Sequence, residues 1–508
     1  MAARTGGSAS GAARRHWRRP TGTPLRESGV HLPGGGAPPP ETRARPSPST
    51  PQLAQAHISP PPASHGSPAS QPRPTEPAWA WVPSLYFAQG LPYVIAMTVS
   101  VVMYKRLGIS NADIALYTSW LYLPWVVKPL WSPVVELYAT KRGWTLAMQL
   151  GVTLALGGVA FALGTPPFFA LTLAVFWAMA LASATHDIAC DGLYMLALPQ
   201  REQAAFVGVR STFYRLAMIT GQGAFIVLAG QLEQRFADDP RHAWALTFAA
   251  LTLLFGALAL WHRFVLPRPA ADQPARHAGG AEAGAGSAIR ASRPTSPLPF
   301  LSVFASFFAK PGIAAILAFL LLYRFAEAQL VKLVTPFLLD PRAEGGLGLT
   351  TSEVGVAYGT VGVMALTAGG LLGGWMISRL GLRRMLWICV LAIHLPDAVF
   401  VWLAWAQPRS LTVVSAAIAV EQFGYGFGFA AYLLYLIMVA EGPHKTAHYA
   451  IGTGFMALGM MLPGMFAGAL QERLGYLQFF VWVMVSTIPG FVAAAFIRID
   501  PEFGRKGG

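Results

Sequence analysis

Charge is what this chain has least of. Asp, Glu, Lys and Arg make up 12% of its 508 residues, against about 25% in a soluble globular domain, and that shortage excludes a water-bathed globule. Cysteine is nearly missing too. Cys190 and Cys389, each inside an apolar run, are the two in the sequence, so a disulfide framework or a cysteine-based metal centre is excluded. The sequence has no nucleophile elbow, zinc-binding triad or phosphate loop, which removes the enzyme classes built on them. No cofactor and no metal site is expected. No short apolar region with a small-residue cleavage site precedes the first long apolar run, so a removable signal peptide is not expected either.

What fills the chain is hydrocarbon, with 54% apolar residues. Runs near the roughly 20 residues that cross a bilayer recur twelve times: 79–104, 112–139, 144–164, 168–198, 204–231, 243–264, 311–339, 351–378, 384–406, 410–440, 446–470 and 476–497. Residues 1–77 differ in kind, being rich in Pro, Gly, Ser, Ala and Arg, and are read as a disordered tail unable to bury a core. Outside that tail, sixteen Lys and Arg fall on the side of the termini and seven on the other. This bias predicts both termini in the cytoplasm, and the net charge of +14 then reports topology, not a nucleic-acid partner.

A Pro/Gly/Ala-rich linker, 265–300, divides six spans (78–264) from six (301–498), with a short tail at 499–508. The halves are written twice. "LGISNADIAL" at 107 recurs as "LGLTTSEVGV" at 347, "FAQG" at 87 as "FAEA" at 325, and "AGQLEQR" at 229 as "AGALQER" at 467. Three anchors in one order and nearly one spacing predict two parallel six-helix repeats. Ser110 with Asp113, and Thr350 with Glu353, read as capping boxes that start the second and eighth spans.

The few charges inside the spans carry the functional reading. An ionisable side chain near the bilayer centre costs about 2.5–3.5 kcal/mol on insertion scales, so it faces the protein interior and marks a pathway. Asp187 and Asp191 share a helical face. Counted from the turn that joins the fourth and fifth spans, Asp187 is level with Arg215 and Asp191 with Arg210, which predicts two stacked ion pairs. Arg324 and Glu327, three apart, are expected to pair along one face, and Glu421 falls near mid-membrane. Asp397, just after Pro396, is expected to reach an outer water layer. Burial raises a carboxylate's pKa and a nearby arginine lowers it, so parting such a pair moves a proton. Glu327, Glu421 and Asp187 are therefore the expected proton carriers.

These residues bring a family into view. "GGWMISRLGLRR" (373–384) resembles the loop signature of the major facilitator superfamily. "ATHDIACDG" (184–192), "FYRLAM" (213–218), "LYRFAEA" (322–328) followed by "TPFLL", and "TAHYAIGTGFMALG" (446–459) resemble the AmpG-like muropeptide permeases and the related acetyl-coenzyme A transporters within it. The resemblance implies an all-α major facilitator fold in the bacterial inner membrane, surrounded by lipid and expected to be monomeric. It places Gln89, Tyr93, His186, Asp187, Glu327 and Glu421 around a central site, with Gln89, Tyr93, His186 and Arg324 as substrate-binding residues. It also implies a secondary transporter, a proton-coupled importer of a muropeptide or an N-acetylated sugar derivative by alternating access. A carrier of acetyl-coenzyme A or another organic anion, a passive facilitator, and a membrane enzyme or receptor remain as other readings.

Overall fold

The structure, a computed structural model, describes residues 78–273, 297–501 and 503. The expected tail, 1–77, and residues 274–296 of the expected linker lie outside the described residues. Among those described, regular structure is helical throughout, and eleven helices are long and apolar enough to cross a membrane.

In chain order the spans are α1 (Ala78–Arg106), α2 (Asn111–Trp120 and Leu123–Leu137), α3 (Lys141–Ala162), α4 (Phe168–Ala197), α5 (Ala205–Arg235) and α6 (Pro240–Val265). The second half has α7 (Ile313–Leu339), α8 (Thr351–Leu380), α9 (Leu382–Ala406), α10 (Leu411–Ala440), α11 (Lys445–Leu474) and α12 (Tyr476–Phe496). A short helix, Pro297–Phe308, leads into α7. The twelfth expected span is thus the broken α2. Pro124 has no amide hydrogen to give the carbonyl four residues back, and Leu121 and Tyr122 form a turn instead.

Helix starts follow the local sequence. Ser110 accepts from the amide of Asp113 at 3.0 Å, and Thr350 and Glu353 form a reciprocal capping box. Thr140 caps α3 and Asp239 caps α6, each satisfying an amide that the helix leaves free. α9 and α12 begin after Gly381 and Gly475, which hold φ of 84° and 75°, a backbone region that favours glycine.

The two halves meet along α2 with α11 and α5 with α8. Where α5 crosses α8, both helices widen into π-helical turns, Ile219–Phe225 and Gly355–Gly362. A Cβ added to Gly359 would sit 1.8 Å from the carbonyl oxygen of Gln222, so backbone touches backbone here. The largest apolar core runs through both halves, from Trp244 and Phe248 on α6 to Phe337 on α7 and Phe480 on α12. This rigid frame leaves polar side chains of α1, α4, α7 and α10 to converge.

Candidate substrate chamber and its gates

In the first half, the second part of α2 supplies the partners of Asp187. The Trp125 indole donates to its carboxylate at 3.1 Å and the Lys128 ammonium lies 3.6 Å away. Gln89 neighbours the same carboxylate, and Tyr93 sets its ring edge-on to Trp125 at 5.3 Å. Gln89, Tyr93 and Asp187 are thereby gathered on one wall.

Arg215 is elsewhere: it reaches across to Thr367 on α8 at 3.4 Å. The expected Asp187–Arg215 pair is replaced by Asp187–Lys128, because equal depth leaves the direction around the helix axis undetermined and Asp187 points at α2. One turn on, Arg210 lies 2.7 Å from Asp191, which also accepts from Tyr86 at 2.9 Å. The guanidinium stacks over the Tyr86 and Tyr194 rings at 4.1 and 4.3 Å.

His186 points away from this wall, a correction to its expected place among the substrate-binding residues. It is buried against Gln149 at 3.0 Å, whose other end meets His262 at 3.1 Å, and His262 meets Ser84 at 3.0 Å. Neighbouring residues on a helix diverge by about 100°, so a ring next to Asp187 in sequence lands between α3 and α6.

In the second half, α7 is interrupted at Tyr323 and Arg324. Arg324 has left the helical conformation (φ −110°, ψ 20°), donates to the Tyr425 hydroxyl and lies 4.8 Å over the Phe429 ring. The expected Arg324–Glu327 pair therefore does not close; no ion pair within 4.0 Å joins them among the described residues. One oxygen of Glu327 is buried without a hydrogen-bond partner, and Glu421 accepts from Gln422 at 2.9 Å.

Asp397 corrects a further expectation. It is 1% exposed, with neither carboxylate oxygen hydrogen-bonded, because the 3-10 turn Leu395–Asp397 around Pro396 swings it inward. Carboxylate oxygens of Glu327, Asp397 and Glu421 all lie within 4.8 Å of one another. Two full charges at that distance repel by about 3.5 kcal/mol at an effective dielectric of 20, so the cluster needs positive charge from Arg324, from protons or from a small oxygen-seeking cation. Lys332, one turn beyond, donates to Thr118 of α2 at 2.8 Å and joins the halves.

The chamber is shut at one rim. Lys105 at the end of α1 pairs with Asp340 at the end of α7 at 2.6 Å. Asn111, in the first turn of α2, donates to Gln471 of α11 at 2.7 Å. Thr351, in the first turn of α8, donates to Glu233 of α5 at 2.5 Å, and Arg106 also pairs with Glu233, at 3.1 Å. These contacts explain the repeated anchors: Glu233 and Gln471 are mates in the duplicated sequence, as are Thr351 and Asn111. So are Gly230 and Gly468, where a Cβ would meet the first turn of the facing helix at 2.4 and 2.0 Å. At the other rim, Pro199, Arg201 and Glu202 and the turn 441–446 are exposed. Side-chain exposure falls from 43% at Asp191 to 16% at Asp187, and Glu327 and Glu421 are 2% and 1% exposed.

A polar chamber between two duplicated six-helix bundles matches what sequence comparison finds, since the Major Facilitator Superfamily profile fits residues 84–452. The chain belongs to the Major Facilitator Superfamily. It is an integral membrane protein, and its relatives are transporters, not enzymes. It is 26% identical over 429 residues to the anhydromuropeptide permease of Escherichia coli K12, covering 83% of this chain and 80% of that one. In fold it is similar to the nucleoside transporter NupG (TM-score 0.60, 16% identity, 82% and 98% of the two chains). It is likewise similar to a POT family transporter in complex with 5-aminolevulinic acid (TM-score 0.60, 10% identity, 83% and 96%). As a Major Facilitator protein the chain is a secondary transporter.

Sequence reasoning passed over Lys105, Lys128, Asp340 and the inward turn of Asp397. Pro396 was the one local signal for the last. The others announce themselves only through partners far along the chain.

Proposed function

We propose that the protein is a proton-coupled importer of a muropeptide or an N-acetylated sugar derivative, working by alternating access. The reading is carried by the convergence of Glu327, Asp397 and Glu421 on α7, α9 and α10, where one oxygen of Glu327 and both oxygens of Asp397 are buried without hydrogen-bond partners. Arg324 stands beside them on the interrupted turn of α7. A solute carboxylate that draws Arg324 toward itself, through the paired hydrogen bonds a guanidinium offers, changes how many protons the three acids retain. That exchange ties solute movement to a proton gradient.

Asp187, Gln89 and Tyr93 form the opposite wall, with the Tyr93 and Trp125 rings suited to a sugar face. Lys128 and Asp187 act as a second separable pair, and Asp191 with Arg210 braces α4 against α5. With both termini cytoplasmic, the closed rim faces outward and the chamber is open inward, in a monomer in the bacterial inner membrane. The cargo class follows the name of the Escherichia coli permease. An organic-anion carrier is the second reading, favoured by Arg215 and Arg324, neither of which has an acid within ion-pair distance among the described residues.

The test is uptake into vesicles holding the purified full-length protein, in sodium-free buffer under an imposed pH gradient, with wall fragments, sugars and acyl-coenzyme A compounds offered in turn. Gradient-driven accumulation of a wall fragment is expected, and Glu327→Gln, Asp397→Asn and Glu421→Gln should each reduce it at least tenfold. Flux indifferent to the gradient defeats the coupling; accumulation of acyl-coenzyme A alone selects the second reading.

A further inference from the structure

Away from the chamber, on the second half, a groove of about 730 Å³ runs between the start of α7 and the ends of α10 and α12. Its walls are apolar and narrow-shouldered, with Ala314 and Ala318 on one side and Val492 and Phe496 on the other. Phe496 at its lip is 71% exposed. Two cations stand at the mouth, Lys310 and Arg498. Lys310 precedes the Pro311–Gly312 break that starts α7 and donates to the backbone carbonyl of Glu441 at 3.1 Å. Arg498 has no hydrogen bond or ion pair among the described residues.

The dimensions bear on what fits. Along α7 the groove reaches from Ala314 to Leu322, eight steps or about 12 Å of helix. One leaflet contributes about 15 Å of hydrocarbon, half of a bilayer core. The groove thus begins at a basic pair level with the headgroups and ends near the depth where an acyl chain ends. The short apolar helix Pro297–Phe308 leads to the same mouth.

We propose that this groove binds one anionic phospholipid of the leaflet on the side of the chain termini, its phosphate between Lys310 and Arg498 and one acyl chain along the alanine wall. Basic side chains at a membrane surface attract anionic lipid electrostatically, and the groove adds a shaped apolar seat that a free anion cannot use.

The test uses the full chain purified in a neutral detergent, titrated with fluorescent phosphatidylglycerol, with phosphatidylcholine and inorganic phosphate as competitors. Phosphatidylglycerol should bind saturably, and unlabelled phosphatidylglycerol should displace it far better than phosphatidylcholine. The Lys310→Gln/Arg498→Gln double variant should weaken binding about tenfold or more. Ala318→Phe, which fills the groove without changing charge, should weaken it similarly. Arg383→Gln/Arg384→Gln, removing two exposed cations at the same rim, should leave it within twofold. Unchanged binding in the first two variants overturns the proposal, as does equal loss in the Arg383/Arg384 variant, which would mark diffuse attraction. Displacement by millimolar inorganic phosphate as effective as by lipid also overturns it, because the apolar seat would then contribute nothing.

Discussion

Replacing Lys105 by Met should tip the transporter away from the state with the 105/340 rim closed. The Lys105–Asp340 pair is 2.6 Å long with side chains 16% and 8% exposed, and removing one partner of a buried pair costs about 3–5 kcal/mol. Asp340 keeps hydrogen bonds from Tyr476 at 2.5 Å and Asn111 at 3.4 Å, and some water reaches Lys105, so about 2 kcal/mol is the better figure. That raises the ratio of open to closed rim by about thirtyfold. Spin labels at Gln234→Cys and Pro341→Cys, which flank the seam between the halves at this rim, read the ratio as a distance distribution. The native Cys190 and Cys389 are fully buried and do not compete for label. A Lys105→Met/Asp340→Met double variant, which leaves no stranded charge, should return toward the wild-type distribution. If Lys105→Met leaves the distribution unchanged, or if the double variant opens further than the single one, the rim pair does not hold the gate.

Gly468→Val places a side chain where a Cβ already lies 2.0 Å from the Asn111 carbonyl oxygen; the same labels should report an open rim, and transport should fall at least tenfold in folded protein. Asp191→Asn breaks a pair whose side chains are 43% and 28% exposed, so thermal unfolding should register a loss of about 1 kcal/mol or less, and a larger loss would contradict its half-exposed setting. His186→Gln keeps a partner for Gln149 and should leave solute KM within twofold in vesicle uptake; a tenfold rise would put that side chain back in the chamber.

Local signals were legible in the sequence wherever cause and effect lie within one turn of helix. The capping residues Ser110 and Thr350, the apolar lengths of the spans and the three repeated anchors needed no tertiary information. Depth was legible too, since Arg210 and Asp191 are adjacent in space as counting from their turn suggests. Direction was not: Asp187 chose Lys128 over an equally deep Arg215, a difference of rotation about α4 that apolar surroundings on every side leave unmarked. Arg324 escaped because the interruption of α7 has no proline or glycine at it. Lys105 and Asp340 are 235 positions apart, each at a helix end where a solvated charge is ordinary.

The mating parts of the closed rim have a bearing on ancestry. Each half owns a glycine notch on one helix and, at the start of another, the first turn that packs into the notch of its counterpart. A chain encoding only six helices would carry both tongue and socket, so two identical copies could dock on each other by the same pair of contacts. Fusing two such genes would then preserve a joint that already worked, and leave later divergence free to give the two interiors different chemistry.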